Sequence, residues 1–371
     1  MLKNKLNVTL ENIIFSLQKA GGVSVYWLEL LKRIKTKLSV DLTIYEVPSE
    51  NIFRQQLNIM TKQESLLPVS LVRYLPFLQV LPKNSIFHSS YYRVSLQKDI
   101  VNITTVHDFT YEYFRTGMAK YIHIWQKGFA IKKSDGIICV SENTRRDLMK
   151  FYPMIEDSKV KVIYNGVGNE FIKLENSKEF LIEQFEILKN KKYILYVGDR
   201  STYKNFNIAI EALKQLDDYM LVIVGGQKLS GFENELIEPM KNRTCHFRGI
   251  SSEKLNILYN NAFCLLYPSS YEGFGIPVLE AMKSGCPVVS TNTSSIPEVA
   301  GQAALLVDDI KANSFIPNIK HLENKKLRDE LIYKGLEQSK KFSWDKCFSE
   351  TYDFYETIWK KNQLKVDRKN G

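Results

Sequence analysis

A chain of 371 residues, 44% apolar and 25% charged, is too long for one compact core and too apolar for disorder, so two globular domains are expected. No apolar run is long enough to cross a bilayer, and the opening MLKNKLNVTL lacks the apolar stretch of a secretory signal, so a cytoplasmic location is expected. The net charge of +10 is uneven: 25 basic residues face 17 acidic ones over 1–180, and 26 face 24 over 181–371.

A basic first half suits an anionic partner, and no RNP, zinc-finger or basic-zipper signature supports nucleic acid. The five cysteines (Cys139, Cys245, Cys264, Cys286, Cys347) are scattered without a CxxC pair. They read as free buried thiols in a reducing compartment and argue against a zinc site.

Along the chain, short apolar runs alternate with amphipathic segments. LNVTL (6–10), SIFHSS (85–90), NITTVHD (102–108), DGIICVS (135–141) and VKVIYNGV (160–167) read as strands. VSVYWLELLKRI (23–34), entered through Gly21–Gly22, and ENTRRDLMKFY (142–152) have helical spacing. A polar, poorly patterned stretch follows, and 171–188 is expected to be a linker between domains 1–170 and 189–345. The alternation then restarts. KYILYVGD (192–199), YMLVIVGG (219–226), CHFRGI (245–250), AFCLLYPS (262–269), PVVST (287–291) and ALLVD (304–308) read as strands. NFNIAIEALKQL (205–216) and PVLEAMKSG (277–285) read as helices, the second started by proline and stopped by glycine. The segment 346–371 is expected to be a terminal helix packing back toward the first domain. Two such series predict two doubly wound α/β domains with parallel sheets.

In doubly wound sheets ligands lie at the carboxyl ends of the strands, which singles out the loops there. VGDRSTYKN places Arg200 and Lys204 ahead of a helix, a pairing suited to phosphate; the plainer reading is two exposed cations. YEGFGIPVLEAMKSGCPVVST places Glu272 in a loop loosened by Gly273 and Gly275, and Glu280 in the first turn of the following helix. A carboxylate there can accept both hydroxyls of a ribose, although the helix dipole alone would favour it. His107 with Asp108 could be a structural pair, and His88 is a weaker candidate for the site. Asp217–Asp218 lacks the surroundings of a metal motif, and no carboxylate cluster for Mg²⁺ is evident.

The pattern EGFGIPVLEAMKSGCPVVST…IPEVAG resembles the signature of the retaining glycosyltransferases of the GT4 family. YVGDRSTYKN resembles that family's donor-phosphate loop, FSLQKAGGVSVYWLELL its N-terminal glycine loop, TTVHDFTYEYF its histidine loop and VIYNGV the end of its first domain. These matches occur in family order over 15–301. The resemblance implies the GT-B fold, two Rossmann-like domains facing each other across a cleft. It implies that Glu280 binds the donor ribose, that Glu272 holds the transferred sugar, and that the N–H groups of Phe274, Gly275 and Ile276 fix sugar and phosphate. Arg200 and Lys204 would neutralise the diphosphate, and Gly22 would reach it from the first domain. His107 would bond the donor sugar, with Gly249 and Ile250 beside the base.

The resulting expectation is a retaining, metal-independent hexosyltransferase with no cofactor. Its donor is a nucleoside-diphosphate sugar, GDP-mannose or a related GDP-sugar being favoured. The acceptor is expected to be a lipid-linked glycan of O-antigen or capsule type. The enzyme would be peripheral at the inner face of the cell membrane, held to anionic lipid by runs such as LLKRIKTK (30–37) and RRDLMKFYP (145–153). The rivals are another activity on the same fold, such as a nucleotide-sugar epimerase or a sucrose-type synthase, and a non-catalytic glycan- or lipid-binding module. A dehydrogenase is disfavoured, because no GxGxxG follows the first strand.

Overall fold

A computed structural model describes residues 5–65 and 67–370. The chain divides into two units, Met1–Gly166 with Trp344–Gly371, and Val167–Ser343.

The first unit holds a seven-stranded sheet of β1 (Leu6–Glu11), β2 (Val40–Glu46), β3 (Lys62–Gln63), β4 (Ser85–Ser89), β5 (Ile100–Val106), β6 (Gly136–Cys139) and β7 (Val160–Val162). The order is β3-β2-β1-β4-β5-β6-β7 and every pairing is parallel. Strands β4, β5 and β6 are buried along their whole length, which is why they read as continuous apolar runs rather than alternating ones. The long helix Trp344–Asn370 packs on this sheet: a Cβ added to Gly136 would meet Ile103 at 2.7 Å and Ile358 and Phe354 at 3.0 Å. Gly136→Val is therefore expected to destabilise the fold by about 1–3 kcal/mol, as overpacking does. The reading is a lowered thermal midpoint, against Gly231→Ala as a control whose added Cβ meets nothing within 4 Å.

The second unit holds β8 (Tyr193–Val197), β9 (Met220–Val224), β10 (Thr244–Phe247), β11 (Cys264–Tyr267), β12 (Val288–Thr291) and β13 (Ala304–Val307). The order is β10-β9-β8-β11-β12-β13, again all parallel. Phe206 and Leu213 of the helix Phe206–Lys214, with Phe315 and Ile319 of the helix Ala312–His321, pack against Ile194, Leu221 and Ile223 of the sheet. After β8 the chain winds outward through β9 and β10, then returns to β11 on the other side of β8. The loops following β8 and β11 therefore leave the same edge as neighbours, at the point where the winding reverses.

Residues 171–188, expected as a linker, fold as part of the second unit and carry the helix Ser177–Gln184. The side chains of Asn256 and Asn260 accept from the Ile172 and Leu174 N–H groups at 3.1 and 2.7 Å, and Asn261 donates to the Ser177 carbonyl at 2.9 Å. Side-chain amides of one helix, Ser252–Asn261, thus anchor a stretch with no apolar period of its own. The terminal helix begins at Trp344 and belongs to the first unit. The helix Met118–Lys133 escaped the sequence reading because apolar residues lie on both of its sides.

Candidate active site

The loop after β8 is a short 3-10 turn, Thr202–Lys204, ending in Asn205 with a left-handed φ of 50°. The Asn205 amide donates to the Pro268 carbonyl at 2.8 Å and to Ser270 Oγ at 2.7 Å, and the Ser270 N–H donates to the Tyr203 carbonyl at 2.7 Å. These three bonds fasten the β8 loop to the loop after β11. Their result is the contact at the centre of the site: Lys204 Nζ lies 2.5 Å from Glu272 Oε1 and donates to Tyr267 Oη at 3.3 Å. Both charged side chains are nearly enclosed, at 13% and 11% exposure, so the reading of Lys204 as an exposed cation does not hold. Burial and the neighbouring Glu272 carboxylate push the Tyr267 phenol well above its usual range, and it stays protonated as a donor.

The Glu272 loop is held from behind by two serines that the sequence reading passed over. Ser294 Oγ accepts from the Glu272 N–H at 2.9 Å, and Ser295 Oγ donates to the Glu272 and Phe274 carbonyls, each at 2.9 Å. The hydroxyl run TNTSS ahead of a proline-started helix was the available signal. Of the two loop glycines only Gly275 adopts a left-handed angle, φ 97°, as the N-cap of the helix Ile276–Lys283; a side chain there would be strained. No acidic residue lies in that helix's first turn, so its positive end is not neutralised from within. Glu280 is the fifth helical residue, one residue later than expected and so just past the first turn, because the helix starts at Ile276 and not at the proline. Its carboxylate accepts from Tyr259 Oη at 3.0 Å. Desolvation pushes its pKa up to about 7, the Tyr259 hydrogen bond working against this and Glu170 adding to it.

Arg200 is also not exposed, its side chain being 6% accessible. Its Nε donates to Glu233 Oε1 at 2.6 Å, and Nη2 donates to the Gln227 and Lys228 carbonyls at 2.8 and 3.1 Å. A Cβ on Gly226 would fall 2.5 Å from Nη1, so the glycine turn after β9 closes tightly on the guanidinium. Arg200 thereby organises the loop after β9. Glu233 also completes a capping box with Ser230. Gly249, with a left-handed φ of 64°, and Ile250 follow β10, where the Gly249 backbone is exposed. His246 Nε2 bonds the Gly225 carbonyl at 2.8 Å, which joins that loop to the turn after β9.

In the first unit His107 follows β5 directly and lies edge-on to Tyr26, ring centres 5.0 Å apart. Desolvation lowers its pKa to about 4, so it is neutral near pH 7. Asp108 does not pair with it through a side-chain hydrogen bond but accepts from the Thr110 N–H at 2.9 Å. His88 is structural: it bonds Tyr355 Oη at 2.5 Å and Thr105 Oγ1 at 3.0 Å in the core. Gly22 is the first residue of the helix Gly22–Ile34, and Gly21 is its extended N-cap. Sequence reading also missed a buried charge cluster at the end of β1, where Arg93 lies 3.2 Å from Glu11 and 2.6 Å from Glu64. Among the described residues no group of three or more His, Cys, Asp or Glu is placed to hold a metal ion. Of the five cysteines, free as expected, Cys245 is only half-buried.

Two doubly wound parallel sheets, with strand order 3-2-1-4-5-6-7 in the first unit and 3-2-1-4-5-6 in the second, define the GT-B architecture. The description "Glycosyltransferase Family 4" matches residues 20–171, and "Glycosyl transferases group 1" matches 177–338. The O-antigen chain mannosyltransferase B of Escherichia coli is 27% identical over 274 residues, covering 69% of this chain and 70% of that protein. The O-antigen chain mannosyltransferase RfbU of Salmonella typhimurium is 29% identical over 224 residues, covering 59% and 60%. A glycosyltransferase structure from Rickettsia africae superposes with a TM-score of 0.73 at 18% identity, over 96% of this chain and 99% of that one. The chain belongs to the GT4 glycosyltransferases.

Proposed function

We propose that the protein is a retaining mannosyltransferase. It would pass mannose from GDP-mannose to a lipid-linked glycan in the assembly of a surface polysaccharide. The observation that carries the reading is the Lys204–Glu272 pair at the winding reversal of the second unit. One member is a cation suited to a diphosphate; the other is an acceptor suited to sugar hydroxyls. The likeness to two O-antigen mannosyltransferases supports the choice of sugar and acceptor.

Lys204, with Arg200 behind it, stabilises the negative charge that grows on the leaving diphosphate. The N–H groups at Phe274, Gly275 and Ile276 add to this from the start of the helix. Glu280 accepts the ribose hydroxyls. The roles of His107 and Gly22, and of Gly249 and Ile250 beside the base, rest on the family resemblance.

A panel of nucleotide-sugars tests the reading by thermal stabilisation, since a ligand at about 100 times its Kd adds about 2.7 kcal/mol. GDP-mannose is expected to raise the midpoint most. A larger rise with a UDP-sugar, or turnover of donor into an epimer without acceptor, overturns it.

Because the diphosphate charge is assigned to Lys204 and Arg200, activity is expected to persist in EDTA. Complete loss, restored by Mg²⁺ or Mn²⁺, would show that the charge stabilisation lies elsewhere.

A further inference from the structure

The helix Met118–Lys133 turns Met118, Tyr121, Ile122 and Trp125 outward, at 73%, 67%, 40% and 62% exposure. Their spacing of i, i+3, i+4 and i+7 puts them on one stripe, which Phe129 extends by stacking on Trp125 with ring centres 5.9 Å apart. The segment beside it, joined where Gln126 donates to the Arg73 carbonyl, exposes Leu71 and Tyr74. A soluble surface rarely leaves so many large apolar groups together without a partner.

The charge around this face names the kind of partner. Residues 67–83 and 113–133 contain no aspartate or glutamate. Arg115, Lys132 and Lys133 are exposed there, and none of them makes an ion pair among the described residues. In the basic runs favoured from the sequence, three cations are instead held by carboxylates. Lys32 and Arg33 share Glu29 at 2.8 and 2.5 Å, Arg33 also reaches Asp345 at 2.7 Å, and Arg145 is held by Asp157 at 2.6 Å. Cations already paired attract anionic lipid weakly.

We propose that the outer face of the helix Met118–Lys133, with Leu71 and Tyr74, is the surface on which this protein docks to an anionic lipid bilayer. Tryptophan and tyrosine favour the headgroup layer, the methionine and isoleucine enter just below it, and unpaired cations meet the lipid phosphates. No helix of the described residues is long and apolar enough to cross a membrane, and docking through this face needs none. The inference deepens the reading of a lipid-linked acceptor and rests on it.

The test is co-sedimentation of the full chain with vesicles of phosphatidylcholine and phosphatidylglycerol mixed two to one, and with pure phosphatidylcholine. The wild type is expected to bind the mixed vesicles at low salt and to lose most of that binding as salt screens the charges. The paired variant Tyr121→Ser, Trp125→Ser is expected to bind about tenfold more weakly or worse, with an unchanged thermal midpoint and unchanged stabilisation by nucleotide-sugar. The control variant Lys32→Gln, Arg33→Gln, whose cations are already held by Glu29 and Asp345, is expected to weaken binding much less than the paired variant does. If the paired variant binds as the wild type does, the face is wrongly assigned although the membrane reading stands. If the wild type binds no vesicles at low salt, the membrane reading itself falls and the donor chemistry is untouched. If the wild type is a dimer in solution that the paired variant breaks, a second copy covers the face and the proposal is overturned.

Discussion

Lys204→Ala is expected to lower kcat/KM for sugar transfer by roughly two orders of magnitude or more, the scale seen when one preorganised electrostatic donor is removed from a developing anion. The ammonium lies 2.5 Å from Glu272 in an almost enclosed place, held there by the Asn205 and Ser270 bonds between the two loops. Its removal takes a cation from the diphosphate and leaves the Glu272 carboxylate without its counter-charge. Lys204→Arg keeps the charge but replaces a compact ammonium with a wider fork, and is expected to recover activity only in part.

Arg200→Ala should behave differently. Its guanidinium ties down the loop after β9 through two carbonyls and Glu233, so activity and thermal midpoint are expected to fall together. Lys204→Ala should also lower the midpoint, because it leaves the enclosed Glu272 carboxylate unpaired, but its activity should be lost while the protein is still folded. Wild-type kinetics in a folded Lys204→Ala protein would falsify the assignment of this lysine to the leaving group.

Donor affinity should rise with pH across neutrality, and Glu280 should be the cause. Burial raises its carboxyl to about 7 from an ordinary value of 4.5. The ionised form accepts from both ribose hydroxyls through stronger, charge-assisted bonds, whereas the protonated form turns one oxygen into a donor. At pH 5.5 the site is therefore mostly protonated and the nucleotide-sugar should bind weakly; at pH 8.5 it is ionised and should bind tightly. A nucleotide-sugar is the right ligand, because its diphosphate does not itself titrate near neutrality, as a free nucleoside diphosphate does.

Glu280→Gln should bind with nearly the same affinity at both pH values, close to the low-pH level of the wild type. Glu280→Ala should bind roughly ten- to hundredfold more weakly than the ionised wild type, the cost of losing charge-assisted hydrogen bonds. Calorimetric titration at the two pH values reads this directly, and a wild-type affinity flat between them would remove Glu280 from the ribose.

Stability should move the other way. Between 4.5 and about 7 the native state keeps a proton that the unfolded chain has released, so this group's contribution to stability is lost as pH rises through that window. Glu11, also raised by burial although Arg93 beside it works against the shift, adds to the same trend. Donor affinity, and not global stability, therefore isolates Glu280.

The sequence by itself determined the class of fold and the order of its candidate groups. Parallel strands buried on both faces must be continuous apolar runs, and β4, β5, β8 and β9 were legible for that reason. Strand-following loops carry the ligand groups of such sheets, so Arg200, Lys204 and Glu272 could be singled out locally, and the GT4 motifs added the order. Tertiary structure decided everything that depends on which strands become neighbours. Lys204 meets Glu272 only because β8 and β11 lie side by side, although the two residues are 68 positions apart. Arg200 is buried only because the glycine turn after β9 closes on it. The polar stretch 171–188 looked like a linker because its anchors, Asn256, Asn260 and Asn261, lie on a distant helix and leave no mark on its own pattern. The helix Met118–Lys133 shows the same limit from the other side. Hydrophobic pattern reports that a residue is apolar, but only packing decides which apolar face is covered and which is left outward.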